Sequence, residues 1–487
     1  MARAGRAAEA AKPVAQRLLI ATACGAGLLV LVMVWRAIGA QAGVPVAAVA
    51  ALSIGVNLGL WSCVSGLRWL EETLTSRWQR RCTAPPTYAI IGVRGAPHVA
   101  TTGAVYVPPA APPAPPISIA AVVPAHNEEP VIRGSIASIT RLLPLRDIYV
   151  ASDASTDATA HIARESGTNV LEVFPNQGKA GALEATIGHF RLAERYDAVL
   201  FLDADSTLDE RYLCGARRLL ADSGVAAVAG YAAIMWDPGR VSTVGQVIAA
   251  YRDRLYTLLQ HLFRFGQTWR LINVTHVAPG FASVYRSDVL RKIEMNPPGL
   301  IIEDFNMTFQ VHRRRLGRIG FSPDVRATSQ DPGTIGDYTR QVRRWSLGFW
   351  QTVRYNGLWP SLFWLALGLF VLESLAAAVG LLAALTLALA LVLPLLTGGA
   401  LLSWGVFAGA YDTLSGYAPL ALLAVALVVP DYVLTCVMAA VRRRPRYLLL
   451  GLGFPVLRVV DAVLALWTLP LAWVTRSNGA WRSPARR

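Results

Sequence analysis

The chain has 487 residues and combines a high apolar content, 54%, with a formal net charge of +15. Charged residues make up only 16% of the chain, against about 25% in a typical soluble domain. This composition excludes an intrinsically disordered chain, which combines low hydrophobicity with high net charge. The length excludes a small scaffold held together by disulfides. We therefore expect a membrane protein that carries a sizeable folded domain.

The positive charge comes almost entirely from arginine, since Lys12, Lys179 and Lys292 are the only lysines. Membrane proteins collect cations at their cytoplasmic edge, so we expect anionic lipid or a phosphate-bearing substrate as the partner, and no nucleic acid. The five cysteines are far apart and include no C-x-x-C pair. They predict neither a metal site nor a disulfide framework.

Two apolar stretches near the start, Leu18–Val34 and Val44–Leu60, each approach the roughly 20 residues that a membrane-spanning helix needs. Arginine and lysine flank the pair on both outer sides, with Arg68 among them, while the short connection is uncharged. The pattern predicts a transmembrane hairpin over residues 1–82 with both ends in the cytoplasm. The proline-rich segment 83–116 is then expected to be an extended linker.

Beyond the linker, short apolar runs alternate with amphipathic stretches, which is typical of an α/β sheet. In open sheets of this kind, ligands bind beyond the carboxyl ends of the strands. The predicted strands are Ile117–Pro124, Asp147–Ser152, Asn169–Phe174 and Ala198–Leu202, and the predicted helices are Glu129–Leu143, Asp157–Ser166, Lys179–Arg191 and Asp209–Ala221.

Acidic residues follow three of these strands: Glu128, Asp153, and the pair Asp203 and Asp205. One acid at such a position can simply cap the next helix, and we assign that role to Asp157. Three acidic strand ends at one edge need a cation to offset their repulsion. Mg²⁺ or Mn²⁺ is expected here, because hard divalent cations take oxygen ligands from carboxylates and phosphates.

The turn Asn176–Gly181 places Lys179 at the start of a predicted helix. Glycine allows close backbone approach and a helix N-terminus favours an anion, so the turn suits a phosphate. An ordinary turn with a surface lysine is the alternative.

Further along, Glu303 and Asp304 begin an amphipathic segment. Asp304 is a candidate general base that accepts a proton from an attacking hydroxyl. The alternative is a helix N-terminus whose acids complement the macrodipole.

A predicted helix at Asp337–Val353 carries Gln341, Arg344 and Trp345 on one face. This face would offer an amide together with a guanidinium that can bind phosphate and an indole that can stack on sugar rings. A basic amphipathic helix lying on anionic headgroups is the alternative.

Together these motifs occur in the order D, DxD, ED, QxxRW, and over about residues 117–355 the chain resembles the membrane-integrated family-2 glycosyltransferases. That group includes the cellulose, chitin, hyaluronan and poly-N-acetylglucosamine synthases. The resemblance implies a GT-A-type, Rossmann-like α/β catalytic domain in the cytoplasm, flanked by N- and C-terminal transmembrane helices in the plasma membrane. The segment Ala278–Arg286, with Gly280, also resembles the family's small-residue segment that lines the acceptor site.

The resemblance also implies roles for individual residues. Donor binding is assigned to Ala125, Glu128, Asp153, Lys179 and Asp203, the metal to Asp205, catalysis to Asp304 with Glu303, and acceptor or diphosphate binding to Gly280, Gln341, Arg344 and Trp345. The chain departs from the family pattern at Ile302, where Thr is common, and at Glu184, where Asn is usual.

The expected activity is inverting, metal-dependent transfer from a nucleotide-sugar, most simply a UDP-sugar, to extend a β-linked polysaccharide that passes through the membrane helices. Transfer of a single sugar to a lipid-linked or short acceptor is the alternative. A transporter whose cytoplasmic domain only binds nucleotide would need no base at Asp304. Accessory export proteins stay unidentified.

The remaining predicted regions are a catalytic domain at 117–334, an interfacial helix at 335–357, transmembrane helices at 358–446, and an interfacial or re-entrant helix with a cytoplasmic tail at 447–487. An even number of crossings, most simply two, is expected between 358 and 446, with Leu358–Phe370 along the membrane interface. The interfacial prediction depends on Arg458 and Asp461, because ionisable groups cost several kcal/mol at the bilayer centre.

Overall fold

The structure is a computed structural model that describes residues 55–82, 117–237, 239, 241–417 and 420–475. The first predicted apolar stretch, most of the second, and the proline-rich linker lie outside the described residues.

An eight-stranded mixed sheet forms the centre of the middle region. Its strands are β1 Ile119–Ala125, β2 Ile148–Asp153, β3 Asn169–Val173, β4 Ala198–Leu202, β5 Ser206–Leu208, β6 Val225–Ile234, β7 Ala282–Arg286 and β8 Arg318–Ser329. They lie in the order β3-β2-β1-β4-β7-β6-β8-β5. The first four are parallel, β7 is antiparallel to β4 and β6, and β5 is antiparallel to β8. The expected Rossmann-type α/β sheet is therefore confirmed.

In the described part of the chain, one helix precedes the sheet, the next helices alternate with its strands, and the last ones form an apolar C-terminal part. They are α1 Val56–Cys82, α2 Glu129–Thr140, α3 Thr159–Glu165, α4 Gly178–His189, α5 Leu192–Arg195, α6 Tyr212–Leu220, α7 Thr243–Leu258, α8 Ser287–Leu290, α9 Glu303–Arg313, α10 Ile335–Asn356, α11 Leu362–Leu396, α12 Gly405–Tyr417, α13 Leu420–Arg442, α14 Arg446–Leu450 and α15 Phe454–Val474.

The core lies on both faces of the sheet because every residue of β1 is buried. Alternate side chains point to opposite faces of a strand. Ile119, Ala121 and Val123 accordingly pack in the cluster that contains α2, whereas Ala120 and Val122 pack in the cluster that contains Leu183 of α4. Because β1 is parallel to both β2 and β4, the carboxyl ends of these three strands lie at one edge of the sheet.

Helix α1 corrects one prediction, since Arg68 is not a charged flank at the membrane surface. The Arg68 guanidinium is buried and donates hydrogen bonds to the carbonyl oxygens of Phe265 (2.6 Å) and Phe321 (3.2 Å). It also lies 4.1 Å from the centre of the Phe265 ring. Helix α1 is thus docked on the sheet domain, because carbonyl oxygens and an aromatic face offset the desolvation of the cation.

Most of the predicted interfacial segment Leu358–Phe370 belongs to the continuous 35-residue helix α11 and does not form a separate helix, and its position relative to the membrane stays a prediction. The Ser361 hydroxyl accepts a hydrogen bond from the backbone N–H of Trp364 and so caps the first turn. No proline interrupts α11 before Pro394. At 1.5 Å per residue the helix is about 52 Å long.

Two described helical runs, Leu362–Leu396 and Arg446–Val474, are long and apolar enough to cross a membrane by length and composition; α1 is not among them. In the second run, Asp461 accepts hydrogen bonds from the hydroxyls of Tyr251 (2.8 Å) and Tyr338 (2.7 Å). Arg458 lies 3.2 Å from Asp431. Protein partners therefore satisfy the ionisable groups on which the interfacial prediction depended, and the multi-pass topology stays a prediction.

Candidate active site

Lys179 is the centre of the site at the carboxyl edge of the sheet. Its Nζ lies 2.7 Å from Asp203 Oδ1 and 2.9 Å from Glu303 Oε1, and it donates a hydrogen bond to the carbonyl oxygen of Gly280 at 3.0 Å. Burial opposes the charged form, but the two carboxylates dominate and raise the pKa of Lys179 above its usual value. The lysine therefore joins α4, β4 and α9, which are far apart in sequence.

The turn before Lys179 is held by Asp153, the last residue of β2. The Asp153 carboxylate is buried and accepts hydrogen bonds from the backbone N–H groups of Gln177 and Gly178, each at 2.8 Å. Gly178 has φ 74°, which favours glycine. Asp153 thus orients the turn that presents Lys179, and its contact with the nucleotide stays a prediction.

The other residues assigned to donor binding lie at the same edge. Ala125 ends β1 and its side chain is fully buried in the core, so it can offer a ligand only its backbone. Glu128 is also fully buried, and its backbone N–H donates to Thr159 Oγ1. Asp157 accepts a hydrogen bond from the Thr159 N–H at 3.0 Å, as expected of a residue that supports a helix start.

Asp203 and Asp205 follow β4 directly and are both partly exposed. Burial raises the pKa of Asp203, and the charge of Lys179 opposes that increase. The Asp205 Oδ1 atom accepts hydrogen bonds from the hydroxyls of Ser206 (3.3 Å) and Ser329 (3.5 Å). Both carboxylates therefore lie at the rim beside the one lysine of this edge.

This donor set fits a hard divalent cation. Within the described residues, no group of three or more His, Cys, Asp or Glu side chains is arranged to hold a metal, so the protein offers the two rim carboxylates. Mg²⁺ is typically bound by one or two carboxylates together with substrate phosphates. Asp205, with Asp203 beside it, would hold the ion.

Asp304 lies in the first turn of α9, beside Glu303. Its Oδ2 accepts a hydrogen bond from the N–H of Gly280 at 3.0 Å, and its Oδ1 accepts one from its neighbour Phe305 at 2.7 Å. Burial, followed by the charge of Glu303, raises the pKa of Asp304 to about 6. Although burial opposes it, the charge of Lys179 lowers the pKa of Glu303. The two neighbouring acids thus titrate in different pH ranges, with the pKa of Asp304 above its usual value and that of Glu303 below it.

Gly280 joins the two halves of the site, since its N–H binds Asp304 and its carbonyl oxygen binds Lys179. A Cβ at this position would come 2.7 Å from Glu303 Oε1 and 3.0 Å from Lys179 Nζ. Only glycine leaves room for these contacts. Nearby, a shallow cleft opens between Lys179 and Glu303 on one side and the segment 295–302 on the other.

The structure brings Gln341 and Trp345 of α10 together around a residue that the sequence analysis missed, Arg252 of α7. Gln341 Oε1 accepts a hydrogen bond from Arg252 at 2.5 Å, and the guanidinium lies 4.9 Å from the centre of the Trp345 ring. Arg344 is exposed, and its charge contributes to the lowered pKa of Glu303. Within the QxxRW segment, Arg344 therefore faces Glu303 of the ED pair. Gln341 and Trp345 face α7.

Arg252 is buried and forms an ion pair with Asp331, 3.1 Å away, just after β8. Burial, opposed by the charge of Arg252, raises the pKa of Asp331 to about 6. Register places Ser329 opposite Ser206, the residue after Asp205. Asp331 and Arg252 therefore connect the DxD rim to α10. The sequence indication was the charged run Arg252–Arg254, which follows the uncharged first half of α7.

Comparison with known proteins identifies the family of the region that contains this site. Residues 115–348 match the family described as glycosyltransferase like family 2. The probable glycosyltransferase YdaM of Bacillus subtilis is 26% identical over 243 residues, which cover 47% of this chain and 54% of that protein. The chain thus spans about half the length of this relative.

Two further proteins are similar. The undecaprenyl-phosphate mannosyltransferase of Micrococcus luteus is 24% identical over 49% of this chain and 96% of its own length. The structure of the Pyrobaculum calidifontis mannosyltransferase in complex with GDP-Man and Mn²⁺ has a TM-score of 0.45 and 20% identity, and the match covers 77% of this chain and 98% of that one. The family match shows that residues 115–348 of this chain are a family-2 glycosyltransferase domain, which confirms the expected enzyme class, that of a hexosyltransferase.

Proposed function

We propose that this protein transfers a single sugar from a nucleotide-sugar, expected to be a UDP-sugar, to a lipid-linked or short acceptor, with inversion at the anomeric carbon. The observation that carries the proposal is the junction at Gly280. It holds a base with a raised pKa, Asp304, beside a cation suited to a diphosphate, Lys179.

The donor half of the reaction depends on charge neutralisation. A leaving nucleoside diphosphate gains negative charge as the bond to the sugar breaks, so cations placed beforehand stabilise the transition state more than the ground state. Lys179 is held there by Asp203 and Glu303, and Arg344 adds an exposed positive charge nearby. A divalent cation at Asp205 would further neutralise the diphosphate.

The acceptor half depends on Asp304. Its carboxylate accepts the proton of the acceptor hydroxyl, the hydroxyl oxygen forms the new bond to the anomeric carbon, and the bond from that carbon to the diphosphate breaks with its electron pair leaving on the diphosphate. A base with a pKa near 6 is deprotonated at neutral pH and still accepts a proton readily. The single displacement gives inversion.

The lipid-linked or short acceptor is placed first because of the relative from Micrococcus luteus, whose name specifies an undecaprenyl-phosphate acceptor. Gln341 and Trp345 also contact Arg252, whose guanidinium covers one face of the Trp345 ring and so leaves less of the indole for stacking on a polymer. Extension of a β-linked polysaccharide is the second candidate. The observation that favours it is the position of α10, which carries the QxxRW residues and packs against the apolar helix α15.

Product size distinguishes these candidates. Purified full-length protein with Mg²⁺ or Mn²⁺ is given a panel of labelled nucleotide-sugars and polyprenyl-linked or short saccharide acceptors. We expect one added sugar per acceptor and one nucleoside diphosphate released per transfer. A ladder of long chains would instead show that the protein extends a polysaccharide. Donor binding without any turnover would contradict both and favour a nucleotide-binding transporter.

Asp304→Asn is expected to bind donor but lose at least about 100-fold in turnover, the usual contribution of a positioned general base. Asp288→Asn is the matched control, because Asp288 also lies in the first turn of a helix but is exposed on α8. Equal turnover of the two variants would remove Asp304 as the base.

A further inference from the structure

Arg264 is a cation for which the reaction described above has no use. It ends the π-helical turn Leu259–Arg264 that continues directly from α7, and such turns are rare and frequent at functional sites. Its guanidinium donates one hydrogen bond, to Gln260 Oε1 at 3.3 Å, and lies 5.7 Å from the centre of the Phe321 ring. That Gln260 oxygen already accepts a bond from the Ala232 N–H at 2.6 Å. Arg264 therefore leaves most of its five N–H donors available.

Nearby groups do not neutralise this cation. Among the residues that the structure describes, no carboxylate forms an ion pair with Arg264. Burial, followed by the charge of Arg264, lowers the pKa of His276 to about 4, so this neighbour is uncharged at neutral pH. Burial lowers the pKa of Arg264 itself to about 10, a decrease that the charge of Asp304 opposes. Arg264 thus stays positive, near the base, and a desolvated cation is costly unless an anion joins it.

Two neighbours of Arg264, Phe263 and His276, contact the apolar helix α11. The adjacent Phe263 ring lies 6.2 Å from the ring of Phe370, and His276 stacks on Phe370 at 5.2 Å. Phe370 belongs to α11, one of the two runs long enough to cross a membrane. On this helix Leu365 and Leu372 are 70% and 68% exposed. The unpaired cation is therefore near the base, and its neighbours Phe263 and His276 contact the helix that carries this exposed apolar surface.

Resting on the proposed function, we propose that Arg264 binds a phosphate group of a lipid-linked acceptor, while a sugar hydroxyl of the same acceptor reaches Asp304 and the lipid chain lies along α11. A base is needed only for a hydroxyl, and the uncompensated guanidinium needs an anion. An acceptor that carries both groups satisfies the two sites at once. Arginine suits this role because its planar fork binds phosphate bidentately.

The phosphate on Arg264 takes no part in bond making. The acceptor hydroxyl oxygen bonds to the anomeric carbon, its proton passes to Asp304, and the donor bond breaks with its electron pair leaving on the nucleoside diphosphate. Arg264 acts by holding the acceptor so that its hydroxyl lies beside Asp304 and the anomeric carbon.

The test compares two acceptors that carry the same monosaccharide, one linked to undecaprenyl diphosphate and one a decyl glycoside without phosphate. Full-length protein is expected to prefer the first by at least about tenfold in kcat/KM, as hydrogen bonds to a charged group allow. Arg264→Gln is expected to lose this preference and to keep its rate on the decyl glycoside. Arg264→Lys should retain part of it.

Arg195→Gln is the matched control, because Arg195 also stacks on an aromatic ring, at 5.6 Å from Tyr196, but is exposed on α5. It should keep the full preference. The melting temperature separates binding from folding: removal of an uncompensated cation should leave it unchanged or higher, whereas a fall in Arg264→Gln would show that the arginine is structural.

Competition by two soluble probes separates the sources of the phosphate. Decyl phosphate should inhibit transfer at a concentration at least about tenfold lower than inorganic phosphate, since burial of its alkyl chain adds to binding. Equal inhibition would contradict a lipid-borne phosphate. If the unmodified protein adds one sugar to both acceptors without preference, this inference fails and the proposed function stands. If it makes a ladder or transfers nothing, the proposed function itself fails.

Discussion

Gly280 shows how closely the candidate catalytic groups are packed, because its N–H binds Asp304 and its carbonyl oxygen binds Lys179, residues for which we propose different roles. A methyl group there would approach Glu303 Oε1 to 2.7 Å and Lys179 Nζ to 3.0 Å. We expect Gly280→Ala to reduce turnover at least about tenfold, since small displacements of reacting groups have effects of that order or greater. Gly134→Ala is the control: it lies in α2 with open space around it, and alanine there should stabilise by about 0.5–1 kcal/mol. Unchanged kcat in Gly280→Ala would contradict the shared role of this residue.

The raised pKa of Asp304 predicts how the rate depends on pH. With a pKa of about 6, the carboxylate is protonated below that value and cannot accept a proton. The rate with a hydroxyl acceptor should therefore rise with pH through about 6 and then level off. A rate with no inflection between pH 5 and 7 would contradict the assignment.

The same shift has a consequence for stability. Because the folded state raises this pKa, the contribution of Asp304 to the free energy of unfolding is full below the unfolded pKa and is lost as pH rises through about 6. At pH 7, Asp304→Asn should therefore be inactive yet at least as stable as the unmodified protein in thermal unfolding. An inactive variant with a much lower melting temperature would not test the base.

At the scale of elements, Asp461 connects α15 to both α7 and α10 through Tyr251 and Tyr338. Asp461→Ala removes two hydrogen bonds to a charged group, each contributing about 1.5–3 kcal/mol, and leaves two buried hydroxyls. We expect a lower melting temperature and a higher KM for the acceptor, because α10 carries Gln341 and Trp345. Asp412→Ala, exposed on α12, should change neither. An unchanged melting temperature and an unchanged KM in Asp461→Ala would show that α15 does not position α10.

The sheet was predictable because its strands are short apolar runs that end in polar residues, and β4 has the same bounds in sequence and structure. The convergence of Asp153, Lys179, Asp203 and Asp304 followed from that topology and from the motif order. Arg252, Asp331 and Arg264 were not predictable. Their roles arise from contacts between α7, α10 and the end of β8, which local sequence patterns do not encode.

Membrane topology was the least predictable feature, because charge counting assumes that arginines face water. Arg68 is instead bound by carbonyl oxygens inside the protein. Asp431 and Asp461 lie in apolar helices but are paired with partners in the protein. A helix that packs on a folded domain can thus carry charges that would be costly in lipid.

At the scale of the whole molecule, buried ion pairs join the glycosyltransferase domain to the apolar helices. Arg254 of α7 lies 2.9 Å from Asp431 of α13, and Arg442 of α13 lies 2.6 Å from Asp253. Removal of one partner from such a buried pair costs about 3–5 kcal/mol. Arg254→Met should therefore lower the melting temperature strongly, whereas the surface change Arg133→Met, where the pair with Glu165 is exposed, should have little effect. Equal melting temperatures would contradict a joined unit.

We also predict that the protein associates with membranes, because two described helical runs are long and apolar enough to cross a bilayer. The full-length protein should float with lipid vesicles in a density gradient and stay with them through washes at high salt and at alkaline pH. Release by high salt alone would indicate that arginines, and not the apolar runs, bind the membrane.

The central claim is that the edge of the sheet around Gly280 performs sugar transfer with Asp304 as the base. The most direct measurement is the stoichiometry of nucleoside diphosphate released and sugar transferred, with Mg²⁺ or Mn²⁺ present, for the unmodified protein, Asp304→Asn and Asp288→Asn. We predict one diphosphate per transferred sugar in the unmodified protein and in Asp288→Asn, and no transfer in Asp304→Asn despite normal donor binding. Transfer by Asp304→Asn at the unmodified rate would contradict the account.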